Sequence, residues 1–350
     1  MNMIRYKIGY NFDKGLIDFI AKMNDLSPYA KIESVYASAK NYDYLTARPR
    51  YRLPDVTDDE LSEHIDLLHK IGVEFHYAIN SSYIGNKHQV NENTNEIVSF
   101  LLKLQSIGVD GVIVTHPLIA DFVYNNTNLP ISISSIANIF SVNQMYLLNE
   151  KYGCDSFCLS PYHNRNIGTL KRMQSHCSLF KSNIELIVNE FCGLGSKSGA
   201  FSPCIYREAC FDCHSENKTI AEESLLDGFP QSMCISNRTK QDSAFWAKTM
   251  VIRPEDIHKY HALGVNKFKI TGRTANSTDL KRVVNAYMTF NFDGDLAQLW
   301  YMGVGEKTIE NRRLQGFVDY WFEHPEVRCD ENLCGVTCKH CYNFFMNEHD

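Results

Sequence analysis

The chain has 350 residues, of which 44% are hydrophobic and 22% charged, and its formal net charge is −6. This length accommodates one large domain or two smaller ones, each with a substantial core. The acidic balance argues against the broad basic surface that binds nucleic acid backbones, so nucleic acid is not favoured as a partner.

The sequence also bears on the cellular compartment. No stretch reaches the roughly 18 apolar residues of a membrane-spanning helix, and the first residues lack the basic and apolar pattern of a secretory signal. We therefore expect a cytoplasmic protein with no membrane span. Because the cytosol is reducing, twelve cysteines, several of them closely spaced, indicate metal or cluster ligands more than a disulfide framework.

Short runs of β-branched and aromatic residues alternate with segments of helical periodicity, which is typical of an α/β protein. One helix is marked by a capping box at Thr57 and Glu60 and by a terminating glycine, Gly72. Eight strands are predicted: Arg5–Tyr10, Ile32–Ser38, Glu74–Asn80, Gly111–His116, Pro130–Ser134, Ser156–Pro161, Ile184–Glu190 and Lys267–Thr271. Eight β/α units in about 290 residues predict a closed (β/α)8 barrel of the TIM type.

Two segments interrupt the alternation. About 75 residues separate the seventh and eighth strands, which is more than one loop and one helix require. After the eighth strand, a helix around Asp279–Phe290 is expected to close the barrel. We therefore predict a barrel at 1–290 that carries a cysteine-rich insertion at 192–250, followed by a small cysteine-rich appendage at 291–350.

Polar residues stand at or just past the ends of the predicted strands. In such barrels the carboxyl ends of the strands meet on one face, where catalytic groups lie. Any single member of this set is better explained as a polar loop or cap residue, so their shared position is the stronger signal. The residues are Asn11, Ser38, Asn80, His116, Ser134, His163, Glu190 and Arg273.

The insertion holds five thiols that we interpret as metal ligands: Cys192, Cys204, Cys210, Cys213 and Cys234. A tetrahedral site or an iron–sulfur cluster needs four, so one is surplus. Their dispersed spacing does not match the two close pairs of a zinc ribbon. An iron–sulfur cluster suits them at least as well as zinc.

The appendage holds a second, more compact group: Cys329, Cys334, Cys338 and Cys341. Four thiolates at such short spacings predict a metal site. An iron–sulfur cluster is the first hypothesis for this site and structural zinc is the second.

Arginines supply a further signal, because a guanidinium group binds carboxylate or phosphate through bidentate hydrogen bonds. Arg207 lies between two of the insertion cysteines, Arg238 follows Cys234, and Arg273 ends the last strand. Arg253 begins a helix, where pairing with a nearby carboxylate is the alternative interpretation.

These features resemble the collagenase-like peptidase family U32. The resemblance covers most of residues 1–290 and is most specific from Glu185 to Arg273. The matching elements are the strand ELIVNE running into Cys192, the Cys204-Ile-Tyr-Arg207 element, Cys234, IRPEDI and GVNKFKITGR. The closing cysteine group is similar to the tails of some members.

The resemblance implies a barrel with a four-cysteine [4Fe–4S] cluster at its mouth. By position, its ligands would be Cys192, Cys204, Cys234 and one of Cys210 and Cys213. Several relatives support oxygen-independent hydroxylation, of ubiquinone precursors or of RNA bases, with prephenate implicated as the hydroxyl donor. This chain departs from the family pattern in having Ile205 for proline, Cys210 where some relatives have histidine, and a longer gap between the first two cysteines.

The leading hypothesis is therefore an iron–sulfur hydroxylase, or a subunit of one, acting without dioxygen on a small molecule, a peptide or RNA. A small carboxylate co-substrate would be bound by Arg207, Arg238, Arg273 and Asn80. The predicted catalytic residues are His116 and His163, which would move protons, and Glu190.

Two alternatives belong to other functional classes. A true peptidase is the first, although the histidines His64, His69 and His76 lack metallopeptidase spacing and there is no Gly-x-Ser-x-Gly motif. A non-catalytic electron-transfer or scaffold subunit is the second, and it would act with a homologous partner chain or an electron donor.

Overall fold

The structure, a computed structural model, describes residues 3–40, 45–48, 52–82, 84, 91–190, 246–302, 308–329, 332–333 and 336–346. Its strands form a closed parallel barrel in which each strand pairs with the next and the eighth pairs with the first. They are β1 (Ile4–Gly9), β2 (Ala30–Ala37), β3 (Glu74–Ile79), β4 (Gly111–Val114), β5 (Ile131–Ile133), β6 (Ser156–Leu159), β7 (Asn183–Ile187) and β8 (Lys267–Ile270).

Helices alternate with the strands and surround the barrel. They are α1 (Lys14–Leu26), α2 (Asp58–Lys70), α3 (Asn91–Ile107), α4 (Pro117–Asn126), α5 (Val142–Tyr152), α6 (Ile167–Leu179), α7 (Ile257–Ala262) and α8 (Ser277–Met288). Further along the chain lie α9 (Asp319–Glu323) and α10 (His340–Met346). Among the described helices, none is long and apolar enough to cross a membrane.

The predicted barrel is confirmed, with all eight strands close to their expected positions. Local sequence accounts for the helix boundaries. Thr57 caps α2 by accepting a hydrogen bond from the backbone of Glu60, and Gly72 takes the left-handed conformation (φ +68°) that ends the helix. Nearly all of the cysteine-rich insertion lies outside the described residues, so its position after β7 stays a prediction.

Outward-facing side chains of the strands pack against the helices and form the main core. Tyr6, Phe75, Phe157 and Phe268 are fully buried in this shell. Burial of such large apolar side chains supplies the main driving force for closing helices onto the barrel.

The inward-facing side chains are different, because many are polar. Successive strands are staggered along the barrel axis by about one residue. Inward-facing residues from alternate strands therefore lie at the same level along the axis and form layers of four. The central layer contains Lys7, His76, Ser132 and Glu185. The layer above it, toward the carboxyl ends of the strands, contains Tyr36, Ile113, Cys158 and Lys269.

A single carboxylate balances two buried lysines at the centre. Glu185 Oε1 lies 3.3 Å from Lys7 Nζ, and Glu185 Oε2 lies 3.7 Å from Lys269 Nζ. Burial alone would raise the pKa of Glu185, but Lys7, Lys269 and Lys267 outweigh it and lower that pKa to about 2. The carboxylate is therefore ionised at neutral pH.

Residues beyond α8 pack on the barrel. The Arg165 guanidinium lies 4.9 Å from the ring centres of both Phe317 and Trp321. The backbone N–H of Cys329 donates a hydrogen bond to Asn166 Oδ1 at 3.1 Å. The appendage is thus anchored at the turn after β6, while the predicted domain boundary at 290/291 stays a prediction.

Buried histidines give the fold a pH dependence. His64 is 6% exposed and hydrogen-bonded to the Tyr10 hydroxyl at 2.7 Å, and burial lowers the pKa of His64. The pKa of His64 is lower in the folded chain than in the unfolded chain, so the unfolded chain binds more protons as the pH falls. The free energy of unfolding therefore decreases as the pH falls below about 6.5. We expect His64→Gln to reduce the slope of unfolding free energy against pH by up to about 1.4 kcal/mol per pH unit.

Urea unfolding between about pH 7 and about pH 5 measures this slope. His258→Gln is the matched control, since His258 is exposed on α7. Equal slopes in His64→Gln and the wild type would contradict the assignment.

Candidate active site at the barrel mouth

Arg273, just past β8, contacts polar residues that follow β2 and β3 at the carboxyl-terminal mouth of the barrel. Its guanidinium donates hydrogen bonds to Ser38 Oγ at 2.5 Å, Thr46 Oγ1 at 2.9 Å and Asn80 Oδ1 at 3.3 Å. Arg273 is 5% exposed. Three residues that the strand-end argument singled out, Ser38, Asn80 and Arg273, therefore lie together.

Two glycines position the Arg273 backbone. A Cβ on Gly9 would lie 2.3 Å from the Arg273 nitrogen, so β1 must end in glycine for β8 to turn over it. Gly272 has φ +127°, a conformation that L side chains rarely adopt, and a Cβ there would lie 2.5 Å from the Tyr301 hydroxyl oxygen. That hydroxyl donates to the carbonyl oxygen of Thr271 at 2.5 Å.

Asn189, just past β7, holds the same turn from the other side. Its Oδ1 accepts hydrogen bonds from the Thr271 backbone N–H at 2.8 Å and the Thr271 hydroxyl at 3.1 Å, while its amide donates to the Leu299 carbonyl at 3.0 Å. The sequence argument selected the neighbouring Glu190 instead. The buried Asn189 amide thus satisfies polar groups of two backbone segments and joins them.

The electrostatics of the mouth favour an anion. Burial, together with the positive charge of Arg48, lowers the pKa of Arg273 to about 9, and the guanidinium remains protonated at neutral pH. Within the described residues, no carboxylate forms an ion pair with Arg273 or Arg48. A bound anion would offset the cost of this buried charge.

The layer below Arg273 adds another cation. Lys269 Nζ lies 4.2 Å from the centre of the Tyr36 ring. Burial alone would lower the pKa of Lys269, but Cys158, Glu185 and Tyr36 outweigh it and raise that pKa. The floor of the mouth therefore carries a persistent ammonium group beneath the guanidinium.

The two histidines expected to move protons have hydrogen bonds to the backbone. His116 is the N-cap of α4, where its Nδ1 accepts a hydrogen bond from the Leu118 backbone N–H at 3.2 Å. His163 lies in the short helix after β6 and its Nε2 donates to the Ile139 carbonyl at 2.9 Å. These contacts fix the ring orientations, and the proton-transfer roles stay predictions.

Two other strand-end residues support loops. The Asn11 amide donates to the Ala275 carbonyl and to Ser277 Oγ, each at 3.0 Å, and so holds the loop after β8. Ser134 Oγ accepts a hydrogen bond from the Ile136 backbone N–H at 3.3 Å, which starts a helical turn. Both side chains act here as caps or loop braces, which is the alternative interpretation for such positions.

Several predicted site residues receive no structural test. Glu190 lies just past β7 and is half-buried. Outside the described residues lie Arg207, Arg238, Cys192, Cys204, Cys210, Cys213, Cys234 and Cys334. Their roles as ligands or substrate-binding groups stay predictions.

The described tail cysteines do not test the second metal site either. Cys341 is buried, and Cys329 and Cys338 are half-buried. In the part of the chain that the structure describes, no three His, Cys, Asp or Glu side chains gather closely enough to hold a metal ion.

Arg253 is a structural residue. It is 6% exposed, and its guanidinium donates to Asp256 Oδ2 at 2.8 Å and to the Asn311 carbonyl at 2.9 Å. The expected local pairing is present, but it lies in the interior and joins the barrel to the segment after α8.

Comparison with known proteins places this geometry in a family. Residues 24–300 match the model described as peptidase family U32. The chain belongs to this family. The U32 match confirms the resemblance drawn from the motifs around Cys192 and Arg273.

Two U32-related proteins are informative. The uncharacterized protease MJ1657 of Methanocaldococcus jannaschii is 27% identical over 331 residues, which cover 92% of each chain. The solved structure of the U32 peptidase Mk0906 matches with a TM-score of 0.52 and 13% identity, covering 77% of this chain and 93% of that one. At this identity, the structural likeness shows the fold alone.

The turn that carries Arg273 can be tested through Gly272. We expect Gly272→Ala to lower the free energy of unfolding by ~3 kcal/mol, because it adds a strained backbone conformation and a clash with Tyr301. Gly153→Ala is the control, since Gly153 also has positive φ (+60°) but nothing within 4 Å of the added Cβ; we expect it to cost ~1 kcal/mol. Equal losses for the two variants in urea unfolding would refute the close approach.

Proposed function

We propose that this U32 protein is an iron–sulfur enzyme that hydroxylates its substrate without dioxygen and binds a carboxylate co-substrate, such as prephenate, at the barrel mouth. The observation that carries the proposal is the buried Arg273, which the described residues surround with neutral oxygen atoms and a second arginine. A buried guanidinium that is surrounded by neutral oxygen atoms and a second arginine is preorganised to bind an anionic ligand.

The charge distribution supports a carboxylate ligand. Arg273, Arg48 and Lys269 are cations in or beneath the mouth, and Glu185, the acid in contact with Lys269, is shared with Lys7. The local balance is therefore positive even though the whole chain is acidic. Ser38, Thr46 and Asn80 hold the guanidinium in one orientation, which reduces the entropy lost when a ligand binds.

The proposed cluster would supply one-electron chemistry when bound. Its ligands would be Cys192, Cys204, Cys234 and one of Cys210 and Cys213. The tail group Cys329, Cys334, Cys338 and Cys341 would hold a second cluster or zinc. His116, His163 or Glu190 would exchange protons with the substrate, while Arg207 and Arg238 would complete the anion site around Arg273 and Asn80.

Peptide hydrolysis is the second candidate, because the family and the archaeal relative carry peptidase names. Arg273 would then bind the terminal carboxylate of a peptide rather than a separate co-substrate. The two functions differ in their need for iron, and the experiments below separate them. A role as the electron-transfer subunit of a mixed complex would be indicated if activity required a co-purified homologous chain.

Anion binding provides a direct test. We expect Arg273→Gln to weaken prephenate binding, measured by isothermal titration calorimetry, by roughly 10- to 100-fold, which corresponds to the loss of one charge-assisted contact. Arg172→Gln removes the same charge on the exposed face of α6 and serves as the control. Unchanged prephenate affinity in Arg273→Gln would contradict the proposal.

The cluster is tested by purification without oxygen. We expect brown protein with broad visible absorption, containing iron and sulfide, and we expect Cys192→Ala and Cys204→Ala to lose that absorption. Cys177→Ala is the control, because Cys177 is a buried thiol in α6. Colourless protein with stoichiometric zinc would exclude the iron–sulfur proposal, and casein cleavage blocked by a thiol reagent would favour the peptidase.

A further inference from the structure

The central layer of the barrel interior departs from the usual composition. Such layers are dominated by branched apolar side chains, whereas this one contains Lys7, His76, Ser132 and Glu185. Lys7 and His76 are each 4% exposed, and Glu185 is 1% exposed. Two full charges and an imidazole therefore share the barrel centre.

Three polar atoms of this layer lack hydrogen-bond partners: Lys7 Nζ, His76 Nδ1 and Glu185 Oε1. Lys7 Nζ and Glu185 Oε1 attract each other across 3.3 Å but do not have hydrogen-bond geometry. Buried polar atoms in folded proteins are nearly always satisfied, by protein groups or by ordered water. The clustering of three such atoms in one layer points to a common partner.

The protonation state of His76 determines which kind of partner can bind to these three atoms. Its Nε2 lies 3.1 Å from Glu74 Oε2 and must donate to that carboxylate. Burial lowers the pKa of His76, so the ring is neutral and Nδ1 presents a lone pair. The layer therefore offers one donor group, the Lys7 ammonium, and two acceptor atoms, His76 Nδ1 and Glu185 Oε1.

A water molecule complements this set, because it can accept a hydrogen bond from Lys7 while donating one to His76 and one to Glu185. A small anion does not, since two of the three atoms would turn lone pairs toward it. A metal cation is disfavoured by the ammonium group of Lys7.

The layer beneath contains Ser34, Gly111, Ser156 and Lys267, and its two serines and one glycine are small. A Cβ on Gly111 would lie 3.1 Å from the Pro130 carbonyl oxygen and 3.5 Å from His76 Nδ1, so any larger residue at this position would crowd the imidazole. The hydroxyl of Ser156 donates to Ser132 Oγ at 2.9 Å and adds polar surface to the same region.

We infer that the centre of the barrel is an internal water site, in which water bridges Lys7 Nζ, His76 Nδ1 and Glu185 Oε1. This water solvates a carboxylate whose other oxygen lies beside Lys269. It thereby stabilises the ion network that keeps the Lys269 ammonium group beneath the mouth. The site is built into the scaffold and does not depend on what the mouth binds.

A crystal structure of the full chain, at a resolution that shows ordered water, tests the inference directly. We expect a fully occupied water within hydrogen-bond distance of all three atoms. Lys7 bonded directly to His76 or Glu185, with no density between them, would overturn the site. Crystals grown with bromide replacing chloride distinguish an anion, because an anomalous peak at this position would also overturn it.

Magnetic relaxation dispersion of water nuclei tests the site in solution, because buried waters exchange slowly enough to contribute. We expect His76→Phe, which removes the acceptor and fills space, to lower the dispersion amplitude. His258→Phe is the control, since it places the same ring on the exposed surface of α7. An amplitude that does not change in folded His76→Phe would contradict the assignment, and the wild-type crystal remains decisive if that variant does not fold.

Discussion

The ion network around Glu185 is the constraint on which the barrel interior depends. Burying one carboxylate and two ammonium groups costs several kcal/mol for each ion unless they pair closely. Glu185 is placed between Lys7 and Lys269 because β7, β8 and β1 are neighbours in the closed sheet. The charges therefore require closure of the barrel, and removing one partner would leave an uncompensated buried charge.

The same network shapes the mouth. Because Glu185 is shared by two lysines, it cannot neutralise both, and Lys269 extends positive potential upward toward Arg273. Arg273 in turn is held by neutral oxygens and lies near Arg48. In a low-dielectric interior these effects are stronger than on the surface. The scaffold and the proposed anion site are thus parts of one electrostatic arrangement.

Some parts of this arrangement could be predicted from the sequence, and others could not. The barrel followed from the alternation of strands and helices, and Arg273, Ser38 and Asn80 followed from the strand-end rule. Thr46 and Arg48 could not be found in this way, because neither stands at the end of a predicted strand. The roles of His116 and His163 depend on a substrate position, so they stay predictions.

The polar interior did leave a signal in the sequence. Charged residues stand among apolar neighbours in β1, β7 and β8, where Lys7, Glu185 and Lys269 occupy inward positions. In a barrel, side chains of one parity face the interior. A charged residue at an inward-facing strand position therefore predicts a buried ion that needs a partner inside the barrel. The identity of the partner needs the register, which propensity and periodicity alone do not provide.

The appendage shows how a buried cation can be accommodated without a carboxylate. Arg165 is 2% exposed, lies against the rings of Phe317 and Trp321 and donates to the Ala247 carbonyl. Cation–π contacts strengthen when water is excluded, so the two rings replace much of the lost solvation. Arg165 belongs to the turn after β6, on the mouth side of the barrel. Phe317 and Trp321 are therefore held by the same short helix that carries His163.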